Sequence, residues 1–427
     1  MHVAFVTETW PPEVNGVALT AERTVDWLRA RDHRVTVIRP RQKSDRAAGA
    51  DAGAWLMPGL PLPLYRPLRF GLPAAGLLQR RWQQPGERPD VVHVATEGPL
   101  GASAVRAARH CGSVVTSDFR TNFHIYSRHY RLGWAAPLIL RYLRALHNRT
   151  DLTFVPTEAV ATTLRRYGFE RTAVVGRGVD VQRFSPWHRA RDLRASWGAA
   201  AETPVVLHVG RLAAEKNVAL VVRAFAAIKS RCPTARLVWV GDGPLQTRPQ
   251  RRLRDAIFTG TLRDAALAQA YASADLFLFP SLTETFGNVT LEALASGLVV
   301  VAFDSGCASV HIQHGASGWL APPGDEQWFI DTAVDAAARL RELEPMRRRA
   351  VQSARRADWN TVLARFEAIL LRAVQAPAQA PLPAATGELQ AARSSDGAVR
   401  RESVGTGSVG NESVGNEAVG DAAVGNA

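Results

Sequence analysis

The chain reads as an α/β protein built from two doubly wound units in tandem, and three observations predict this. The stretches HVAFVTETW (2–10) and VVLHVGRL (205–212) are both apolar strands that run directly into polar and turn residues. Each is followed by a helical pattern, Ala18–Arg31 and Val218–Arg231, and then by another strand, Arg34–Arg39 and Arg236–Val240. Strand, helix and strand of this length close a parallel pair, so two independent series mean two sheets. The length agrees, since 427 residues at about 100–200 per domain leave room for two.

Further strands of the first unit are expected at Val91–Val94, Ser113–Ser117, Leu152–Pro156 and Ala173–Val175. Those of the second are expected at Ala256–Thr259, Leu276–Pro280 and Leu298–Phe303. Ser185–Glu202 has no strand pattern and joins the units, which places the first at 1–186 and the second at 187–356. From Ala373 the composition changes to APAQAPLPAA and then to five related pentapeptides, ESVGT to AAVGN, over 402–426. One valine in five residues beside glycine cannot bury enough surface to offset the ordering entropy. Residues 373–427 are therefore expected to be disordered.

Composition narrows the class. Apolar residues are 46% and charged residues 21%, the balance of a globular protein. The apolar runs are strand-sized and fall short of the roughly 18 residues of a membrane span. Cys111, Cys232 and Cys307 form no CxxC pair, and MHVAFVTE opens as a strand rather than as a secretory leader. A reducing, cytoplasmic location is expected. The net charge of +13 is uneven: residues 1–186 hold 26 basic and 15 acidic groups, residues 187–372 hold 23 and 18, and residues 373–427 hold 3 and 6. A basic first half suits an anionic partner. Arginine bias in an alanine-rich chain is the competing explanation, because only Lys43, Lys216 and Lys229 are lysine.

The most informative stretch is LFLFPSLTETFGNVTLEALASGLVVVAF (276–303). A buried-type strand ends at Pro280–Ser281, a polar loop carries Glu284, and a helix from about Val289 to Ser296 carries Glu292 before Gly297 stops it. Ligands of open parallel sheets sit beyond the carboxyl ends of the strands, where this loop lies. The amides around Phe286, Gly287, Asn288 and Val289 form a helix N-terminus suited to a phosphate, and carboxylates take hydrogen bonds from vicinal hydroxyls. Spacing alone leaves open whether the glutamates do this, or whether Glu292 pairs locally and Glu284 is solvated. In HVGRLAAEKN (208–217), Arg211 and Lys216 leave the rim of another strand before a helix capped at Asn217. Two such cations could neutralise a diphosphate; a surface pair with Glu215 is the alternative. No DxD occurs, and HIQH (311–314) lacks a third ligand, so no metal site is expected. In TWPPEVNGVA (9–18), Gly16 lets backbone approach a ligand at a helix start.

These strings, with GRGVDVQRFSP (176–186), VGDGPL (240–245), FTGTL (258–262) and HGASGWLAPPGD (314–325), resemble the family 4 retaining glycosyltransferases of the GT-B fold. They fall in order over roughly residues 1–370. Within the family the chain is most similar to bacterial GDP-mannose-dependent α-mannosyltransferases, phosphatidylinositol mannosyltransferase among them. The resemblance implies two facing Rossmann-like domains with a cleft between them, and a closing helix at about 357–372 that packs back on the first. It implies that Arg211 and Lys216 bind the donor diphosphate. Glu284 would contact the donor sugar as an orienting group rather than a nucleophile, and Glu292 the ribose. Phe286, Gly287 and Asn288 would meet sugar and phosphate, Gly16 would lie near the diphosphate, and the base near Gly241 and Thr259–Leu262. One departure stands out: where the family often has a histidine in an HTNF-like string, this chain has SDFRTNFH, which offers Arg120 or, four residues on, His124. Asp118 could instead pair with Arg120.

The expected activity is metal-independent, cofactor-free transfer of a hexose, mannose first, from GDP-mannose or a UDP-hexose to a lipid or glycan acceptor. Two other functions compete: a non-catalytic sugar-nucleotide sensor and a nucleic-acid binder. The first does not need Arg211, Lys216, Glu284 and Glu292 together, and the second has no recognised motif. Arg66, Arg69, Arg80 and Arg81 interleave with Leu68, Phe70, Leu72, Leu77, Leu78 and Trp82 in 65–82, which suits a segment lying on an acidic membrane surface. Alternatively Leu77, Leu78 and Trp82 are core residues of an ordinary helix.

Overall fold

A computed structural model describes residues 1–13, 16–42, 45, 54–62, 65–119, 136–245, 256–282 and 286–375. The strands of the first half, in chain order, are β1 (His2–Val6), β2 (Arg34–Pro40), β3 (Ala54–Met57), β4 (Gly59–Leu62), β5 (Tyr65–Gly71), β6 (Val91–Val94), β7 (Val114–Asp118), β8 (Leu152–Val155) and β9 (Thr172–Val174). Those of the second are β10 (Val205–Val209), β11 (Arg236–Val240), β12 (Ile257–Gly260), β13 (Leu276–Phe279), β14 (Val299–Phe303) and β15 (Trp319–Ala321).

Seven strands form one sheet in the order β3-β2-β1-β6-β7-β8-β9, and six form another in the order β12-β11-β10-β13-β14-β15. Every ladder in both is parallel. Helices cover both faces, which is why the strands read as unbroken apolar runs. Successive residues enter opposite layers. Val205, Leu207 and Val209 join Phe277, Phe279 and Val300 on one side; Val206 joins Leu276, Leu278, Val299 and Val301 on the other.

Four features depart from the sequence reading. The first helix begins at Gly16 and ends at Ala30. Asn217 does not cap its helix with its side chain; it takes the left-handed conformation (φ 50°) after a 3-10 turn, Ala214–Lys216. Residues 65–82 are not one segment: Tyr65–Gly71 pairs antiparallel with Gly59–Leu62, and only Ala75–Trp82 is helical. The expected disorder after 375 falls outside the described residues, but Ala373–Gln375 are helical, because the closing helix runs Trp359–Gln375.

That last helix returns to the first half. Phe366, Ile369 and Leu370 share a core with Val3, Phe5, Val25 and Leu28. Beside them the buried Glu367 accepts from Trp27 Nε1 (3.1 Å), Arg31 Nε (2.9 Å) and His33 Nε2 (2.9 Å). Burial alone would raise its pKa, but hydrogen bonds from His33, Arg31 and Trp27 outweigh it and hold the carboxyl below its ordinary 4.5.

Glu367→Ala should lower stability by about 1.5–3 kcal/mol in urea unfolding at neutral pH, the range for a charge-assisted hydrogen bond. Because the folded pKa is depressed, this contribution is complete above pH 4.5 and is lost as the pH falls through the depressed value. The gap between wild type and variant should therefore close in acid.

Candidate active site

In the second sheet the chain runs outward from β10 through β11 to β12, then returns to the other side of β10 as β13. The carboxyl ends of β10 and β13 thus flank a topological switch point, the place where such sheets bind ligands. The two informative stretches of the sequence leave from these two strand ends. They are tied to each other directly: the Glu215 carbonyl accepts from Leu282 N (2.9 Å) and from Ser281 Oγ (3.2 Å).

Lys216 follows on the same loop, with Nζ 5.4 Å from the centre of the Phe279 ring at the end of β13. Arg211 is exposed and its guanidinium lies 3.3 Å from the Glu215 carboxylate, so the surface pair and the rim cation are the same residue. Beneath them His208 is fully buried, and its Nδ1 donates to the Leu278 carbonyl at 2.9 Å. Burial, with the nearby Lys216 charge, lowers its pKa to about 4. The imidazole is therefore neutral and adds no charge to the site.

Beyond β13 the helix Asn288–Ala295 starts from Gly287, at φ 90°, and carries no acidic residue in its first turn. A side chain at Gly287 would strain the turn, and among the described residues no side chain caps this helix end. One turn in, Glu292 is half-buried and accepts from Tyr271 Oη at 2.9 Å. Burial pushes its carboxyl up to about 7, against the Tyr271 hydrogen bond and the Arg183 charge, which both lower it. Phe286 is buried, edge-on to His311, whose pKa burial lowers to about 4.

A third rim closes the site. Gly241 N donates to the Gly260 carbonyl (2.8 Å), Gly210 N to the Val240 carbonyl (3.0 Å) and Leu212 N to the Asp242 carbonyl (3.1 Å). Thr259 Oγ1 donates to the Gly260 carbonyl at 3.0 Å, and Leu262 packs on the core. At Gly241 (φ 124°) a Cβ would come within 2.2 Å of the Gly210 carbonyl oxygen. The close approach of two strand ends demands glycine there. Gly16, at the start of its helix, lies against the guanidinium of Arg177.

Residues 203–339 match the family described as glycosyl transferases group 1, and residues 14–183 match Glycosyltransferase Family 4. The GDP-mannose-dependent alpha-mannosyltransferase of Mycolicibacterium smegmatis is 37% identical over 314 residues, covering 72% of this chain and 80% of that protein. The chain belongs to glycosyltransferase family 4. A more distant relative is the GDP-mannose-dependent alpha-(1-6)-phosphatidylinositol monomannoside mannosyltransferase of Mycobacterium tuberculosis. It is 29% identical over 359 residues, 79% of this chain and 89% of that protein. Among solved structures, Anabaena HepE in complex with UDP and glucose superposes with a TM-score of 0.67 at 20% identity, over 87% of this chain and all of that one. The fold is GT-B, and the protein is a glycosyltransferase.

Of the residues that the family resemblance picks out, the enzyme brings Arg211, Lys216, Phe286, Gly287, Asn288 and Glu292 to one switch point, with Gly241, Thr259 and Leu262 on the adjoining rim. Glu284, Arg120 and His124 lie outside the described residues. Asp118 is buried at the end of β7, its carboxylate 3.5 Å from His93 Nε2.

Sequence reasoning missed a cluster at the other switch point, between β1 and β6. Glu8 accepts from Leu100 N at 3.0 Å, and burial pushes its carboxyl up to about 7. Glu97 lies 3.8 Å from His147 Nε2, and His147 Nδ1 is 2.8 Å from Ser117 Oγ. A signal was available: Thr7–Glu8 and Thr96–Glu97 both follow short apolar strands, the position that made the second-half loops informative.

Gly241→Ala should lower the melting temperature and weaken ligand binding, since strain at such a backbone angle alone costs about 1–3 kcal/mol and the clash with Gly210 adds to it. Gly315→Ala is the control. Its φ is 74° but no atom lies within 4 Å of its Cβ position, so it should show the smaller loss and leave binding unchanged.

Proposed function

We propose that the enzyme transfers a hexose with retention from a nucleotide sugar, mannose from GDP-mannose first, to an acceptor at a membrane surface. The observation that carries the donor side is the joining of the Lys216 and Phe286 loops at the switch point through Glu215. It gathers two cations, a helix N-terminus and a carboxylate around one switch point, a combination that suits one elongated, doubly charged ligand. In this reading Arg211, Lys216 and the amides of Gly287–Asn288 hold the diphosphate, Glu292 the ribose diol, and the rim at Gly241 and Thr259–Leu262 the base. Glu284 orients the sugar.

In the reaction the bond from the sugar's anomeric carbon to the phosphate oxygen breaks, and a bond to the acceptor oxygen forms on the same face. The acceptor's proton passes to the departing phosphate, which leaves as part of the nucleoside diphosphate. Arg211, Lys216 and the helix end stabilise the charge that grows on that phosphate, which is the transition-state task usually given to a metal. The mannosyltransferase relative in M. smegmatis supports mannose as the first choice.

The acceptor side is supported by a surface feature. No helix among the described residues is long and apolar enough to cross a membrane. Yet Leu60, Phe70, Leu72 and Leu77 are exposed (61%, 39%, 39% and 48%) on the β4–β5 hairpin and the helix after it. Leu78 and Trp82 of that helix are core residues, as the core alternative expects, whereas Leu77 is exposed. Arg80 and Arg81 flank the patch, whereas Arg69 donates to the Gly59 carbonyl and locks the hairpin. Apolar side chains with basic flanks suit an acidic bilayer. We place the enzyme at the inner face of the cytoplasmic membrane, with a lipid or lipid-linked acceptor.

Incubation with GDP-mannose and membrane lipid should release GDP, with EDTA present or absent. Nucleotide binding should tighten about three- to ten-fold from pH 6 to pH 8, because ribose hydroxyls donate to the ionised Glu292, and a unit of pKa displacement is a factor of ten. Glu292→Gln should bind more weakly and lose that pH dependence. Failure to release nucleoside diphosphate from any GDP- or UDP-hexose would overturn the donor reading.

The membrane component is read separately by vesicle co-sedimentation. Binding should need anionic lipid, fade with salt, and fall when Leu77 and Phe70 become serine and Arg80 becomes glutamine. A folded protein that ignores anionic vesicles at low salt would leave a soluble acceptor.

A further inference from the structure

On the stretch that leads from the first half toward this site stands Arg177, to which neither the family strings nor the donor reading gives a role. It follows β9 on the stretch by which the chain leaves the first half. Its Nη1 lies so close to Gly16 that a Cβ there would stand 2.6 Å away. The guanidinium therefore rests on the first residue of the helix Gly16–Ala30, whose first turn holds no acidic residue. Next to it, a Cβ on Gly176 would touch the Phe286 ring at 3.6 Å, and Phe286 leads into the helix Asn288–Ala295 of the second half.

Arg177 thus stands at the start of the helix Gly16–Ala30, and its neighbour Gly176 faces the Phe286 ring that leads into the helix of the other half. Each helix end carries roughly half a positive charge, and the guanidinium adds a full one. Neither helix carries an acidic residue in its first turn. Arginine differs from lysine in presenting a planar fork that matches two phosphate oxygens.

We propose that Arg177 binds the distal phosphate of the donor, the one bonded to the sugar, from the side of the first half. The inference rests on the nucleotide-sugar reading of the site. Base and ribose lie at Gly241 and Glu292 in the second half, so the phosphate farther from the ribose is the one nearer Gly16. The diphosphate is then shared: Arg211 and Lys216 hold it from one half, Arg177 and the Gly16 helix end from the other. Anion binding and the approach of the two halves become one event.

The test compares a nucleoside diphosphate with its monophosphate by calorimetry on the full chain. Arg177→Gln should weaken GDP binding about ten- to a hundred-fold, the value of a charge-assisted contact, and leave GMP within two-fold. Gly16→Ala, which displaces the guanidinium without removing its charge, should shrink the GDP-to-GMP ratio in the same direction. If the wild type prefers UDP, the same ratio is read with UDP and UMP. A folded Arg177→Gln protein with an unchanged ratio overturns the proposal, as does an equal loss of both nucleotides, which marks a structural role. A wild type that binds neither GDP nor UDP fails earlier, at the donor reading itself.

Discussion

The architecture depends on one crossing of the chain over itself. The polypeptide passes between the halves twice, once after β9 and once before the final helix, and the two passages are paired as a short parallel bridge. Val179 N donates to the Ala357 carbonyl at 2.9 Å, and Trp359 N donates to the Val179 carbonyl at 3.2 Å. Gly178 makes this contact feasible, since a Cβ there would fall 2.6 Å from the Trp359 ring and 2.8 Å from its Cα. Arg23 of the first helix reaches the same point, 5.6 Å over the Trp359 ring and 3.3 Å from Asp180. Any movement of one half on the other must bend these two strands of chain together, so the crossing defines the axis about which a cleft of this fold can close on substrate and exclude water.

The same economy of contacts governs the electrostatics. Desolvation moves four groups around the two switch points toward neutrality: Glu8 and Glu292 rise to about 7, and His208 and His311 fall to about 4. Full charges sit at the rims instead. Arg211 is exposed beside Glu215, and Lys216 lies above the neutral His208 and the Phe279 ring. An anionic ligand at these rims would meet cations that keep contact with water, and its interaction with them would strengthen as that water is displaced.

Much of this was legible in the sequence because α/β sheets write themselves as apolar runs, and the runs at 2–6, 205–209, 276–279 and 299–303 sit where the strands are. What escaped detection had physical reasons. β3 and β15 have four and three residues, too few for a period to show. The β4–β5 hairpin carries Pro61 and Pro67, which argue against a strand unless it lies at an edge. In 75–82 the helical phase decides which apolar residues face inward: Leu78 and Trp82, four apart, are buried, while Leu77, one step round, is exposed. Asn217 has the composition of a cap but takes left-handed backbone angles, which asparagine tolerates and spacing does not reveal. The Glu8 and Glu97 cluster joins segments about 90 residues apart; the strand-end position of each glutamate is legible in the sequence, but their meeting is not.

Charge poses the remaining question, because arginine bias and a functional footprint both predict a basic first half. Bias accounts for the choice of arginine over lysine, but it places no acid and so does not explain an excess of 11 in residues 1–186 against 5 in 187–372 (26 − 15 and 23 − 18). The structure shows where the acids go. Asp45 binds Arg39, Asp151 binds Arg109, Glu87 binds Arg34, and Glu367, from the final helix, binds Arg31. Each of these fixes a loop or a helix in the first half. Those acids are committed to structural pairs. Arg80 is exposed next to the apolar hairpin, and Arg177 turns to the helix end at Gly16. Exposed basic groups such as Arg80, beside the apolar hairpin, therefore contribute to the charge that the first half presents outward.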